Sequence, residues 1–148
     1  MTSSQSSPLR WIVWALRVIL GVVFIYGGIV KLQNPWALFA MNIDSYHILP
    51  YAMLEPVARG LPWVEILMGL LLMAPGPAVR IVAPVMSATL VVFFAAMVHA
   101  KMTGQQINCG CFGPNEPISK WTFLRDGTLL AASLFVTVAA FRDPARKR

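Results

Sequence analysis

The sequence predicts an all-α protein, a four-transmembrane-helix bundle with a structured loop between helices 1 and 2 and a cysteine loop between helices 3 and 4. Three observations predict it. The chain of 148 residues is 57% apolar and only 12% charged, whereas soluble domains average about 45–50% apolar and ~25% charged. Its apolar residues fall into four long runs, each near the ~20 residues that cross a bilayer. Its basic residues gather at the ends of those runs, so lipid, not water, is the solvent that suits the chain.

Residues 1–9 are polar and Ser-rich and are expected to be disordered. The first helix spans about 11–32. A signal peptide would have an apolar region of only about 7–15 residues and a small-residue cleavage site. This run is longer, and Gly27-Gly28-Ile29-Val30-Lys31 is a poor cleavage site. Gln33-Asn34-Pro35 then breaks the helix. The stretch from Trp36 to Arg59 mixes Asp44, Tyr46, His47, Pro50 and Glu55 with apolar residues, and reads as short interfacial helices over the bundle. The second span covers about 56–74, with Pro62 in an early turn. Pro75-Gly76-Pro77 is a tight break. The third span covers about 79–101, with Pro84 near its start, where proline is best tolerated. Residues 102–119 form the cysteine loop, the fourth span covers about 120–141, and 142–148 is a basic tail.

An even number of spans puts both termini on one side. That side holds Arg10, Arg80 and the cluster Arg142, Arg146, Lys147 and Arg148, so the positive-inside tendency makes it cytoplasmic. The tryptophans agree: Trp11 and Trp14 mark one interface, and Trp36, Trp63 and Trp121 the other. Arg17 lies about 10 Å into the first helix by helix rise, and is expected to snorkel back to the cytoplasmic headgroups. The net charge of +6 is not spread along a water-facing surface, which argues against a nucleic-acid partner. Gly21, Gly27, Gly28 and Gly69 are small residues that allow close helix packing.

The chemistry centres on Cys109-Gly110-Cys111, which holds both cysteines of the chain. In an oxidising compartment such a pair can form a disulfide. The ring would be very small, so it gains little by constraining the unfolded chain, and strain would make it readily reducible. Exchange chemistry suits the pair better than stapling, and Gly110 supplies unusual backbone angles. Two inert thiols, or half of a metal site, are the alternatives. A closed zinc site wants four ligands, and His47 and His99 complete one only on paper, so no metal is assigned. Lys31, Glu65, Arg125, Asp126 and His99 all fall in the half of the bundle beneath this loop. Charges inside a membrane are normally paired and face the bundle interior. From depth alone, Glu65 is expected to pair with Arg125, and Lys31 with Asp126. The set reads either as structural ion pairs or as a polar site in which Glu65 or Asp126 moves protons and His99 tunes a thiolate.

These residues also carry a resemblance. Gly28, Lys31 and Pro35, Tyr46, Leu49-Pro50, Pro62-x-x-Glu65 with Gly69, Cys109-Gly110-Cys111-Phe112-Gly113 and Arg125-Asp126-Gly127 resemble, in order and spacing, the DoxX-like membrane proteins and most closely the MauE family, over about residues 12–140. The resemblance implies a multi-pass protein of the bacterial inner membrane with its cysteine loop in the periplasm. It implies a thiol–disulfide oxidoreductase or redox maturation factor beside a periplasmic thioredoxin-like partner, with a quinone as a possible cofactor. The bundle is similar to that of vitamin K epoxide reductase, but lacks a second cysteine pair, so a quinone would have to meet Cys109 or Cys111 directly. The rival reading is a non-catalytic subunit that anchors a larger membrane or periplasmic complex.

Overall fold

A computed structural model describes residues 6–113 and 115–142; the first residues of the expected disordered N-terminus and the tail from 143 to 148 lie outside the described residues. The chain forms α1 (Ser6–Gln33), α2 (Trp36–Ser45), α3 (Tyr51–Met73), α4 (Val79–Met102) and α5 (Lys120–Arg142). Four of these, α1, α3, α4 and α5, are long and apolar enough to cross a membrane, and the protein is a multi-pass membrane protein. Helix 1 starts at Ser6, so 6–9 are helical where disorder was expected.

Each span buries a stripe with the three-and-four spacing of one helix face. On α1 the stripe is Arg17, Leu20, Gly21, Phe24, Gly27, Gly28 and Lys31; on α3 it is Leu54, Ala58, Pro62, Glu65, Met68, Gly69 and Leu72. These two stripes meet. A Cβ on Gly21 would sit 2.8 Å from the Gly69 carbonyl oxygen, one on Gly69 would sit 2.6 Å from that of Gly21, and one on Gly28 would sit 2.7 Å from that of Pro62. The helices therefore touch backbone to backbone, as small residues permit in lipid. The other close pair is α4 with α5, joined by the Ser87 hydroxyl, 3.1 Å from Ser133 Oγ and 3.0 Å from Thr137 Oγ1. Helix α1 also touches α5, and α3 touches α4. Around the bundle the order is α1, α3, α4, α5, which sets α3 and α5 on a diagonal.

At the terminal end of the bundle two arginines cap helices. Arg17 donates from Nε to the Leu72 carbonyl at 2.9 Å and from Nη2 to that of Ala74 at 2.7 Å. It satisfies orphan carbonyls at the C-terminus of α3, where a cation also suits the helix dipole. This corrects the snorkelling expectation: Arg17 is buried in protein, with 4% exposure. Arg80 does the same for α5, with Nε 3.3 Å from the Ala140 carbonyl.

The segment from Trp36 to Arg59 also differs from expectation. Only α2 is a separate short helix; residues from Tyr51 onward already belong to the second span. Pro56 falls early in α3, and the carbonyl it leaves without a helical donor, that of Ala52, belongs to an exposed residue. Glu55 and Arg59 pair at 2.9 Å one turn apart, and Arg59 lies 4.5 Å over the Trp36 ring. Phe39, Ala40 and Ile43 of α2 pack against Leu54 and Ala58 of α3. Thus α2 is pinned across the loop end of the bundle.

Candidate functional site

The loop between α4 and α5 does not lie flat over the helices. An antiparallel bridge pairs Asn108 with Pro117, and the Cys109 amide donates to the Glu116 carbonyl at 2.6 Å. The tip of this hairpin, carrying Cys109-Gly110-Cys111, is turned into the bundle. Gly110 has φ +73°, and a Cβ there would lie 3.2 Å from Asn42 Cβ of α2, so both conformation and space call for glycine. Tyr46, at the end of α2, donates its hydroxyl towards the carbonyls of Cys109 at 3.2 Å and Asn108 at 3.4 Å.

Cys109 is 2% exposed; Cys111 is half-buried, and both are free thiols. Cys109 Sγ donates towards Asp126 Oδ2 at 3.8 Å and lies 3.5 Å from Met97 Sδ. The two sulfurs and an Asp126 oxygen are all within 4.8 Å of one another. Asp126 sits six residues into α5, so the sulfurs lie about 9 Å below that helix's start. A hydrogen bond from the Cys111 thiol holds Cys109 below the ordinary thiol range, against the opposing effects of burial and of the Asp126 and Glu116 charges. The same bond, with loss of water and the charge on Cys109, pushes Cys111 well up. The Tyr46 hydroxyl is raised too, chiefly by burial and then by the adjoining cysteines, so it stays a donor.

The ion pairs differ from the expected ones. Lys31 Nζ bonds both oxygens of Glu65, at 2.8 and 2.7 Å, and lies 5.3 Å over the Phe39 ring. Arg125 Nε bonds Asp126 Oδ1 at 2.9 Å, and its guanidinium also pairs with Glu116. The glycine contacts bring α1 against α3 and so bring Lys31 to Glu65, whereas Glu65 and Arg125 stand on diagonal helices. Arg125 also lies 4.3 Å over the Phe112 ring, which stacks on Tyr26 with centroids 6.2 Å apart. These contacts clamp the loop to α1 and α5.

Lys31, Glu65, Asp126 and Cys111 line one cavity together with Met97, Phe93, Phe94 and Phe112. Its volume is about 50 Å³, room for a few waters by the measure of ~10–15 Å³ each. Of the residues singled out in the sequence, Cys109, Cys111, Lys31, Glu65, Arg125 and Asp126 are brought together. His99 is not: it is exposed on α4 and lines neither the cavity nor the sulfur cluster. Glu116, Met97 and Tyr46 complete the site. Glu116 and Met97 carry no signal in the sequence as charges within the spans, because one lies in the loop and the other passes for packing; Tyr46 stands out only through the resemblance.

The family model for methylamine utilisation protein MauE matches residues 9–139. The methylamine utilization protein MauE of Paracoccus denitrificans is 32% identical over 128 residues, covering 84% of this chain and 68% of that protein. No solved structure matches. With a match running from the start of the first span almost to the end of the last, the chain belongs to the MauE family.

Proposed function

We propose that this protein is a membrane thiol–disulfide exchange protein serving maturation steps in methylamine utilisation, with its cysteine loop on the periplasmic side of the bacterial inner membrane. One observation carries the reading: two sulfurs of unequal exposure lie within 4.8 Å of each other, beside a buried carboxylate. In the oxidised form, a thiolate of a thioredoxin-fold partner attacks Cys111, the accessible sulfur. The Cys109–Cys111 bond breaks, a Cys111–partner disulfide forms, and Cys109 leaves with the electron pair and takes a proton. Asp126, 3.8 Å away, is placed to carry that proton. The partner's second thiolate then attacks the mixed disulfide and releases Cys111. Two partner thiols become a disulfide, and the loop pair becomes two thiols; the reverse sequence reduces a partner.

The near-complete burial of Cys109 also supports a second reading, a non-catalytic anchor whose loop is only a folded platform. Trapping separates the two. With Cys109→Ser, the exchange reading predicts that Cys111 holds the partner as a stable mixed disulfide in cells. The anchor reading predicts no such adduct, and an association lost on altering the surface from Trp36 to Arg59.

A further inference from the structure

The sulfur cluster holds a thioether that thiol exchange does not need. Met97 is 1% exposed, and its thioether faces Cys109 Sγ at 3.5 Å. Asp126, 6% exposed, turns one oxygen to Arg125 and the other to the Cys109 thiol. A thiol aids exchange as its thiolate, and a carboxylate beside it opposes that charge. The surrounding side chains reinforce the bias, since Glu65, Asp126 and Glu116 outnumber Lys31 and Arg125. A net negative, largely buried cluster of two thiols, one thioether and one carboxylate oxygen is poor at holding two thiolates and well suited to a cation.

Geometry and softness narrow the choice. The Cys109, Cys111 and Asp126 ligand atoms lie within 4.8 Å of one another. Metal–sulfur bonds of ~2.3 Å place opposed ligands no more than about 4.6 Å apart, so a single ion can bridge them with only small movement. Thiolate and thioether donors together favour a soft ion, and thioether ligation is a mark of copper rather than of magnesium or calcium. We propose that the loop is a soft-metal site taking one Cu(I), held by Cys109, Cys111 and Met97, with Asp126 as the flanking carboxylate. On binding, both S–H bonds break, two S–Cu bonds form, two protons leave to water, and the copper stays Cu(I). The loaded sulfurs are no longer free nucleophiles, so the ion also shuts the pair to exchange. The site shares its cysteines with the exchange reading but does not depend on it.

The test uses the full-length, reduced protein in detergent, titrated anaerobically with Cu(I) buffered by bicinchoninate. The expected result is withdrawal of one copper per chain from the chelator, a sulfur-dominated first shell in X-ray absorption, and at least a tenfold slower reaction of the thiols with an aromatic disulfide reagent. Met97→Leu should weaken Cu(I) binding by about tenfold or more. Met68→Leu, a buried methionine in the core away from the loop, should bind as the parent does. Failure of the reduced, folded protein to compete with bicinchoninate overturns the proposal, as does a Met97→Leu variant that binds copper like the parent. If copper binds but Cys109→Ser traps no partner, the exchange reading falls and the metal site stands.

Discussion

Lys31 and Glu65 form an ion pair with side chains only 5% and 9% exposed, at the loop end of the α1–α3 contact. Substituting Glu65 by Met leaves an ammonium buried with the Phe39 ring as its remaining attraction, and a cation–π contact is worth only about 0.5–2 kcal/mol. Removing one partner of a buried pair costs about 3–5 kcal/mol, because the other charge is left without compensation. Replacing both by apolar side chains of similar length is close to neutral. So Lys31→Met and Glu65→Met should each destabilise by about 3–5 kcal/mol, and the double variant by no more than about 1 kcal/mol. That gives a coupling well above the ~0.5 kcal/mol of independent sites. The assay is unfolding in mixed micelles of rising SDS fraction, followed by far-ultraviolet circular dichroism. Additive losses, or single losses below about 1 kcal/mol, would refute the placement of the pair. The double variant also asks what the pair is for. If it only locks α1 to α3, thiol exchange persists; if it serves the cavity beside Cys111, exchange slows while the fold holds.

Other outcomes follow from the same geometry. Gly69→Ala pushes a methyl group into the Gly21 carbonyl and the Ile25 side chain; the helices must part, at a cost of about 1–3 kcal/mol read in the same micelle titration. Tyr46→Phe removes the donor that holds the Cys109 and Asn108 carbonyls. It should cost about 0.5–1.5 kcal/mol and speed hydrogen exchange in residues 107–111 without altering the spans. The two thiols should alkylate in separate pH ranges. A thiol reacts as its thiolate, which forms above its pKa. Cys109, held low by the Cys111 hydrogen bond, therefore gains its label below the ordinary thiol range, and Cys111 only well above it. Mass spectrometry of protein labelled along a pH series reads both, and a single common midpoint would contradict the coupling.

The spans were legible in the sequence because lipid imposes length and apolarity on each segment separately. The Gly and Pro breaks marked where they stop. The start of α3 was not legible, because Pro56 reads as a boundary, whereas the helix tolerates it where the freed carbonyl is exposed. Depth was legible, since Lys31, Glu65 and Asp126 do share one half of the bundle. Pairing was not, since it follows from which helices are neighbours, and that order is set by backbone contacts at Gly21, Gly28 and Gly69. The cysteine pair announced itself by spacing, but its depth did not. Only the folded hairpin shows that the loop reaches Met97 and Asp126. His99 illustrates the converse: it has the right height on α4, yet it lies two residues beyond Met97, about 200° around the helix, and so faces outward.

The most direct test of the central claim is the reduction potential of the Cys109–Cys111 pair in the purified full-length protein. It is read by equilibration in glutathione redox buffers, acid quenching, maleimide labelling and mass measurement. Known thiol–disulfide exchange proteins span about −120 to −270 mV, whereas structural disulfides lie below about −300 mV. A two-electron transition within the first range is expected, with both sulfurs changing together. Thiols that never pair in oxidising buffer, or a disulfide that resists reduction beyond about −300 mV, would contradict it.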